Sequence, residues 1–509
     1  MSQESNYSQN LKVKTIDILS GKLIVVLNEI DANELGVLPL ERVELTNPKN
    51  KKSVNAVLDI TDTMIGENEI GIFKDVHELL GTKDGNFVQV RPSGKPKSIE
   101  FIKKKMDGFK LNQEQLQQIV NDIASNKLSE IEATAFIAAV YMKGFDLEET
   151  VFMTKALIEN GKTLEIPNAT VVDKHSIGGT NGRTTMIIVP IIAAAGFAMP
   201  KTSSRSITSA SGTADAMEVL ANVSLSLDKI KQVVEKTGGC IAWGGAVELA
   251  PADDKIIKIE YPLSLDPEGQ VIASVMAKKA SVGAKFVVID LPVGPFVKVQ
   301  SRDVAEGMAL KFIEVGKKLG MKVEVVITNG TEPSGRAFGP ALEAKYALEI
   351  LEGKFFDNLG QKSVELAGAL LELTNRVPKG KGFEKALNIL ESGKALAKMK
   401  EIIKAQGGKI ISSEQIEEAK FKKEFLSMHS GEISSINVGL LNKVARLAGA
   451  PSHKKAGLML NVEQGSKISK NSVLFIIHAE NKRKLDVAYD FAKRNQIISL
   501  KRIILEKFS

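Results

Sequence analysis

Residues 173–185 read DKHSIGGTNGRTT, 186–200 read MIIVPIIAAAGFAMP, and 201–213 read KTSSRSITSASGT. The outer two segments are dense in Gly, Ser and Thr and carry cations: Lys174 and His175 in the first, Arg205 in the second. The segment between them is too apolar for a loop and too short to span a bilayer. Two polar, glycine-rich loops held by a buried element suit an anion. Small residues let backbone N–H groups approach an oxyanion, hydroxyls add donors, and a helix N-terminus adds a positive dipole end.

Working outward, the residues after Val171 keep a strand–loop–helix rhythm for some 200 positions. KFVVIDLPVG (285–294) and VEVVITN (323–329) are β-branched apolar runs ending in turns, as in strands buried on both faces, with helical segments at 304–319 and 340–351. The fold class expected is α/β multidomain. Its central α/β domain, with a mixed sheet, occupies 166–252 and 283–405, and ligands are expected at the strand C-terminal ends. Residues 1–92 alternate short apolar runs with turns and form a β-rich domain. PSGKPKS (92–98) is a linker. The pattern becomes helical over 99–165, with Asn112 and Ser129 as N-caps and Glu132 completing a capping box. From 411 to 509 short strands and a covering helix indicate a C-terminal α+β domain.

Composition narrows the function classes. At 509 residues with 43% hydrophobic and 25% charged content, the chain is of ordinary globular type. One Trp and five Tyr offer little stacking surface for single-stranded nucleic acid, and the net charge of +7 is spread among interleaved acids. Neither nucleic acid nor membrane is expected as a partner. The N-terminus has no targeting pattern, so a cytoplasmic location is expected. A lone Cys240, next to Ile241, Ala242 and Trp243, reads as a small buried hydrophobe and excludes a Cys-based zinc site. Five dispersed histidines indicate no metal cluster. KHSIGG lacks both the dinucleotide G-x-G-x-x-G order and the P-loop order. His175, set between Lys174 and Ser176 ahead of two glycines, is the one imidazole placed among anion-binding residue types.

Residues from about 107 to 407 resemble the thymidine and pyrimidine-nucleoside phosphorylase family. KHSIGG (174–179) resembles its Lys-His-Ser-Thr-Gly-Gly phosphate loop. SSRSITSASGT (203–213) aligns without a gap to its Ser-Gly-Arg-Gly-Leu-Gly-His-Thr-Gly-Gly-Thr segment. ASVMAKK (273–279) resembles its base-contacting helix. The N-terminal β-rich domain and the SRSITS variant are similar to the longer, type-2 branch that includes AMP phosphorylases. The resemblance implies a helical domain interrupted in sequence (99–165 and 253–282) beside the α/β domain, with a cleft that closes by domain rotation. It also implies a homodimer or larger homo-oligomer, no cofactor, and orthophosphate as co-substrate.

The implied reaction is phosphorolysis: orthophosphate attacks C1′ of a nucleoside or nucleoside monophosphate and releases the base. By this resemblance Lys174, Ser176, Gly178, Ser203 and Thr213 bind phosphate, and Ser274 and Lys278 reach the base. Two departures bear on the substrate. Where family members carry an arginine that grips a pyrimidine, this chain reads EYPLSLDPEG, and Asp266 in that segment is expected as the acid that protonates a leaving purine. His175 is the second candidate catalytic residue. SRSITS (Ser204, Arg205, Ser206, Ile207, Thr208, Ser209) replaces a glycine-rich stretch with donors suited to a 5′-phosphate, and Lys298 is a further candidate for it. AMP is thus favoured over free thymidine as substrate. An anthranilate phosphoribosyltransferase-like enzyme using magnesium, and a non-catalytic nucleotide sensor, are the other readings.

Overall fold

A computed structural model describes residues 7–178, 183–206, 209–247 and 249–501. Their contacts divide the chain into two compact units. One takes the residues up to Asn160 with Ala250–Ser274, and the other takes Gly161–Leu249 with the residues from Val275 onward. The boundary falls inside a single helix, Glu268–Ser281.

The first unit begins with a closed barrel of six strands: Gln9–Ile16, Ile24–Asn28, Arg42–Thr46, Ser53–Thr61, Glu69–Phe73 and Phe87–Pro92. The period-two pattern explains it. In Arg42–Thr46, Val43 and Leu45 point inward at 0% exposure while their neighbours face outward. Closure leaves no unpaired edge. Four helices follow, Ser98–Met106, Gln113–Ala124, Glu130–Lys143 and Leu147–Glu159, and Pro251–Leu263 packs on the second and third of them. Asn112, Ser129 and Asp146 each close a capping box, with Gln115, Glu132 and Glu149. Glu149 does more than cap. Fully buried, it also accepts Lys105 Nζ at 2.7 Å and the Leu111 amide at 3.0 Å.

In the second unit the run 186–200 resolves into two elements. Thr184–Ala194 is a helix, buried on every side through Ala193, which is why it is apolar all round. Met199–Ser203 is a strand. The strands Lys322–Asn329, Phe286–Val293 and Val172–Ser176 pair in that order, and Met199–Ser203 pairs with Gly239–Trp243. A bridge between Val171 and Ala198 joins the two sets. Every one of these pairings is parallel, in place of the mixed sheet expected. Each strand returns to the sheet through helical crossovers, which bring it back in the same direction. Cys240 lies in the core at 0% exposure, and burial pushes its thiol up to about 12.

Toward the C-terminus one four-stranded sheet has the order Ala337–Phe338, Gly457–Leu460, Val473–Ala479, Phe421–Leu426, and a second joins Lys467–Ile468, Gly431–Ile436 and Ile498–Leu500. The helices Val438–Ala448 and Lys482–Arg494 pack with them. The chain is an α/β multidomain protein. Among the described residues no helix is long and apolar enough to cross a membrane.

Replacing Glu149 with Ala strands a buried ammonium and a buried amide, a loss of about 3 kcal/mol for a pair of this kind. The urea midpoint of unfolding is expected to fall accordingly, and an unchanged midpoint would show that the pair is dispensable.

Candidate active site

Both loops of the opening stretch leave the C-terminal ends of neighbouring parallel strands, Val172–Ser176 and Met199–Ser203. That is where ligands bind in open α/β sheets. Lys174 is 1% exposed, and its Nζ meets Ser176 Oγ at 2.5 Å and Thr184 Oγ1 at 2.9 Å. Burial lowers its ammonium to about 8, although Asp290 pulls the other way. Asp290, at 0% exposure on the adjacent strand, accepts Ser176 Oγ and Thr328 Oγ1 at 2.6 Å each, with Lys362 Nζ at 3.2 Å.

A second buried acid lies one residue before Lys174. Asp173 is fully buried, with Lys279 Nζ at 2.5 Å and Lys201 Nζ at 3.2 Å. Burial alone would raise the Asp173 carboxyl, but these two ammonium groups outweigh it and hold it ionised. Lys201 also donates to the Lys174 carbonyl at 2.9 Å, tying the two loop-bearing strands together. His175, partly exposed between these clusters, is driven well below the ordinary imidazole range by burial and then by Lys279, Lys201, Lys278 and Lys174. It is therefore neutral at physiological pH.

Gly178 sits in the left-handed region at φ +76, and a Cβ there would lie 2.9 Å from Lys298 Cγ. The glycine thus brings two expected site residues together. Gly179 of the first loop, with Ile207 and Thr208 of the second, lies outside the described residues.

The second loop is knotted around Asp215. Its Oδ2 accepts the amides of Ser206 at 2.7 Å and Gly212 at 3.0 Å. A Cβ on Gly212 would lie 2.5 Å from Ser204 O, so only glycine allows the loop to close on itself. Ser203 ends its strand, Ser204 is exposed, and buried Thr213 starts the helix Thr213–Glu218. Ser209 Oγ donates to Ser211 O at 3.0 Å. Arg205 is paired within the protein. Its guanidinium binds Glu218 at 2.7 and 2.5 Å and Asp215 at 3.3 Å, and lies 4.8 Å from the Trp243 ring centroid. The Arg205 hydrogen bonds, joined by Lys454, lower Glu218 to about 2.

The remaining candidates lie further along the chain. In the first unit, exposed Asp266 follows Ser264, whose left-handed φ of +51 ends the helix Pro251–Leu263. Ser274 Oγ donates to Asp253 Oδ2 at 2.8 Å in the same unit. Lys278, partly buried one helical turn on, belongs to the second. Sequence reasoning passed over Asp173, Lys201, Lys279, Asp290 and Lys362. Asp173 and Lys279 adjoin residues it did select and Lys201 lies two before Ser203, while Asp290 and Lys362 carry no local signal.

Among the described residues no group of three or more His, Cys, Asp or Glu could hold a metal ion. A buried lysine with hydroxyl partners at the C-terminal end of a parallel strand is an arrangement suited to an anion. Family models match in the same region: the glycosyl transferase family helical bundle domain over residues 99–161 and its a/b domain over 168–396. The chain is 45% identical over 500 residues to AMP phosphorylase 1 of Archaeoglobus fulgidus, covering 98% of each chain. It is 44% identical to AMP phosphorylase of Thermococcus kodakarensis, covering 97% of this chain and 99% of that one. The chain belongs to the thymidine phosphorylase family, in its AMP phosphorylase (type-2) branch. Anthranilate phosphoribosyltransferase from Thermus thermophilus shares the fold, with a TM-score of 0.53 and 19% identity over 60% of this chain and 99% of that one.

If Lys174 is the anion ligand, its ammonium holds the anion and its neutral amine does not. The dissociation constant for inorganic orthophosphate, measured calorimetrically, is therefore expected to rise above pH about 8, approaching tenfold per unit. A constant that stays flat through that range would remove Lys174 as the anion ligand.

Proposed function

We propose that this protein catalyses reversible phosphorolysis of AMP. Orthophosphate attacks C1′ of the ribose, the N-glycosidic bond breaks, and adenine leaves with ribose 1,5-bisphosphate as the other product. What carries the reading is the similarity to AMP phosphorylases along nearly the whole chain.

Each group has a physical task in this proposal. Lys174, Ser176, Gly178, Ser203 and Thr213 hold orthophosphate, and the buried ammonium strengthens that hold in a low-dielectric setting. Fixing the nucleophile below the sugar removes most of the entropic cost of bringing it there. The transition state has oxocarbenium character, as in other glycosyl transfers. The departing adenine takes a proton from Asp266. His175, neutral for the reasons above, positions substrate by hydrogen bonding and does not supply that proton. Ser274, held by Asp253, and Lys278 serve the base. Ser204, Ser206, Ile207, Thr208 and Ser209, with Lys298, serve the 5′-phosphate, while Arg205 supports them through its pairs with Glu218 and Asp215. The helical domain of 99–165 and 253–282, the α/β domain of 166–252 and 283–405, a cytoplasmic location, a homodimeric or larger assembly and the lack of any cofactor complete the proposal.

Purified protein with orthophosphate is expected to release adenine from AMP in a chromatographic base-release assay. Thymine from thymidine, with no base from any nucleoside monophosphate, would overturn the substrate assignment. Asp266→Asn is expected to slow adenine release by about 10²–10⁴-fold, the range of a general acid. An unchanged rate would remove Asp266 from that role.

A further inference from the structure

The loop assigned to the nucleotide is braced by a part of the chain more than two hundred residues away. Ala210 is fully buried in the hydrophobic core of the C-terminal domain, and its amide donates to Asn442 Oδ1 at 2.9 Å. Asn442 Nδ2 donates in turn to Val438 O at 3.0 Å, which fixes the amide's orientation on the helix Val438–Ala448. One helical turn further, on the same face, Arg446 donates to Ser209 O at 3.1 Å and reaches Ser206 Oγ at 3.5 Å. Lys454 Nζ completes the brace on Glu218 Oε2 at 2.6 Å.

The direction of these bonds matters. Ser206 Oγ donates to Ser209 O, so the Ser206 hydroxyl is committed to its own loop. Arg446 is a second donor to the same carbonyl. When Ser206 turns its O–H toward an incoming oxyanion, Arg446 keeps Ser209 O satisfied, and the cost of an unpaired carbonyl does not arise. A guanidinium donates and never accepts, so its contact with Ser206 Oγ uses a lone pair and does not compete for the O–H. Arg205, the loop's own cation, is engaged by Glu218 and Asp215.

We infer that Arg446 is a specificity-determining positioning residue, by which the C-terminal domain sets Ser206 and Ser209 to receive the 5′-phosphate of a nucleoside monophosphate. The inference rests on the phosphorolysis reading above and extends the nucleotide site into a domain that carries none of its expected residues.

The test uses the full chain with Arg446→Ala and Arg446→Lys, measuring KM and kcat for AMP, KM for orthophosphate, and the inhibition constant of adenosine, which lacks the 5′-phosphate. Arg446→Ala is expected to raise KM for AMP by on the order of tenfold, the value of one hydrogen bond to a charged group. kcat, KM for orthophosphate and the adenosine constant should stay within about twofold of the parent. Arg446→Lys, which keeps the charge and loses the fork, should fall between the two. An AMP KM unchanged in Arg446→Ala overturns the inference. So does a parallel loss for AMP, adenosine and orthophosphate, because a merely structural role would move all three. If Arg446→Ala does not fold, Arg446→Lys decides, and parental kinetics in it overturn the inference. Parent protein that releases no adenine from AMP overturns the phosphorolysis reading and this inference with it, whereas active parent with an insensitive variant overturns this inference alone.

Discussion

Asp173 and Asp290 lie at 0% exposure on adjacent parallel strands, where an isolated carboxylate would lose its hydration at a cost of several kcal/mol, so each must be surrounded by donors. Lys201 and Lys279 answer Asp173; Lys362, Ser176 and Thr328 answer Asp290. The proposed anion site follows from this constraint. Asp290 and Asp173 favour the charged form of Lys174 against its own burial, so an anion bound as proposed would meet a cation whose geometry is already set. Breaking either acid would leave ammonium groups buried without compensation, so the scaffold and the site share the same charges.

The same electrostatics divide the roles of the two loops. Around the first, burial and then Lys279, Lys201, Lys278 and Lys174 suppress the imidazolium of His175, so in the proposed reaction the proton for the leaving base comes from elsewhere. Around the second, acids and cations nearly balance. Arg205 and Lys454 both close on Glu218, and the loop presents backbone and hydroxyl donors in place of open charge. A ligand held there as proposed would be recognised by directed hydrogen bonds more than by net field, which favours shape over charge count.

How much of this was legible in the chain depended on the distance between partners. Asn112, Ser129 and Glu132 declared their helix ends because capping acts within four residues. The strands at 285–294 and 323–329 were readable because both faces are buried; their purely parallel pairing was not, because direction depends on the crossovers. The run 186–200 showed burial but concealed the change from helix to strand at Gly196–Ala198, since both elements are apolar. Arg205 looked available because its partners, ten and thirteen residues on, face it only once Gly212 folds the loop back. Lys362 and Arg446 gave no local sign at all.

The two-residue strand Ala337–Phe338 pairs with Gly457–Leu460, so one strand of the C-terminal sheet comes from the middle of the chain. During synthesis that pairing has to wait until some 120 further residues have been made. The brace on Ser206, Ser209 and Ala210 from Asn442 and Arg446 waits longer still. A nascent chain can therefore complete its barrel and helical bundle early, while its second loop stays unbraced until nearly the last domain has emerged. Chains cut short by premature termination would contain Lys174 and lack that support, so translation itself orders when each of the two loops is finished.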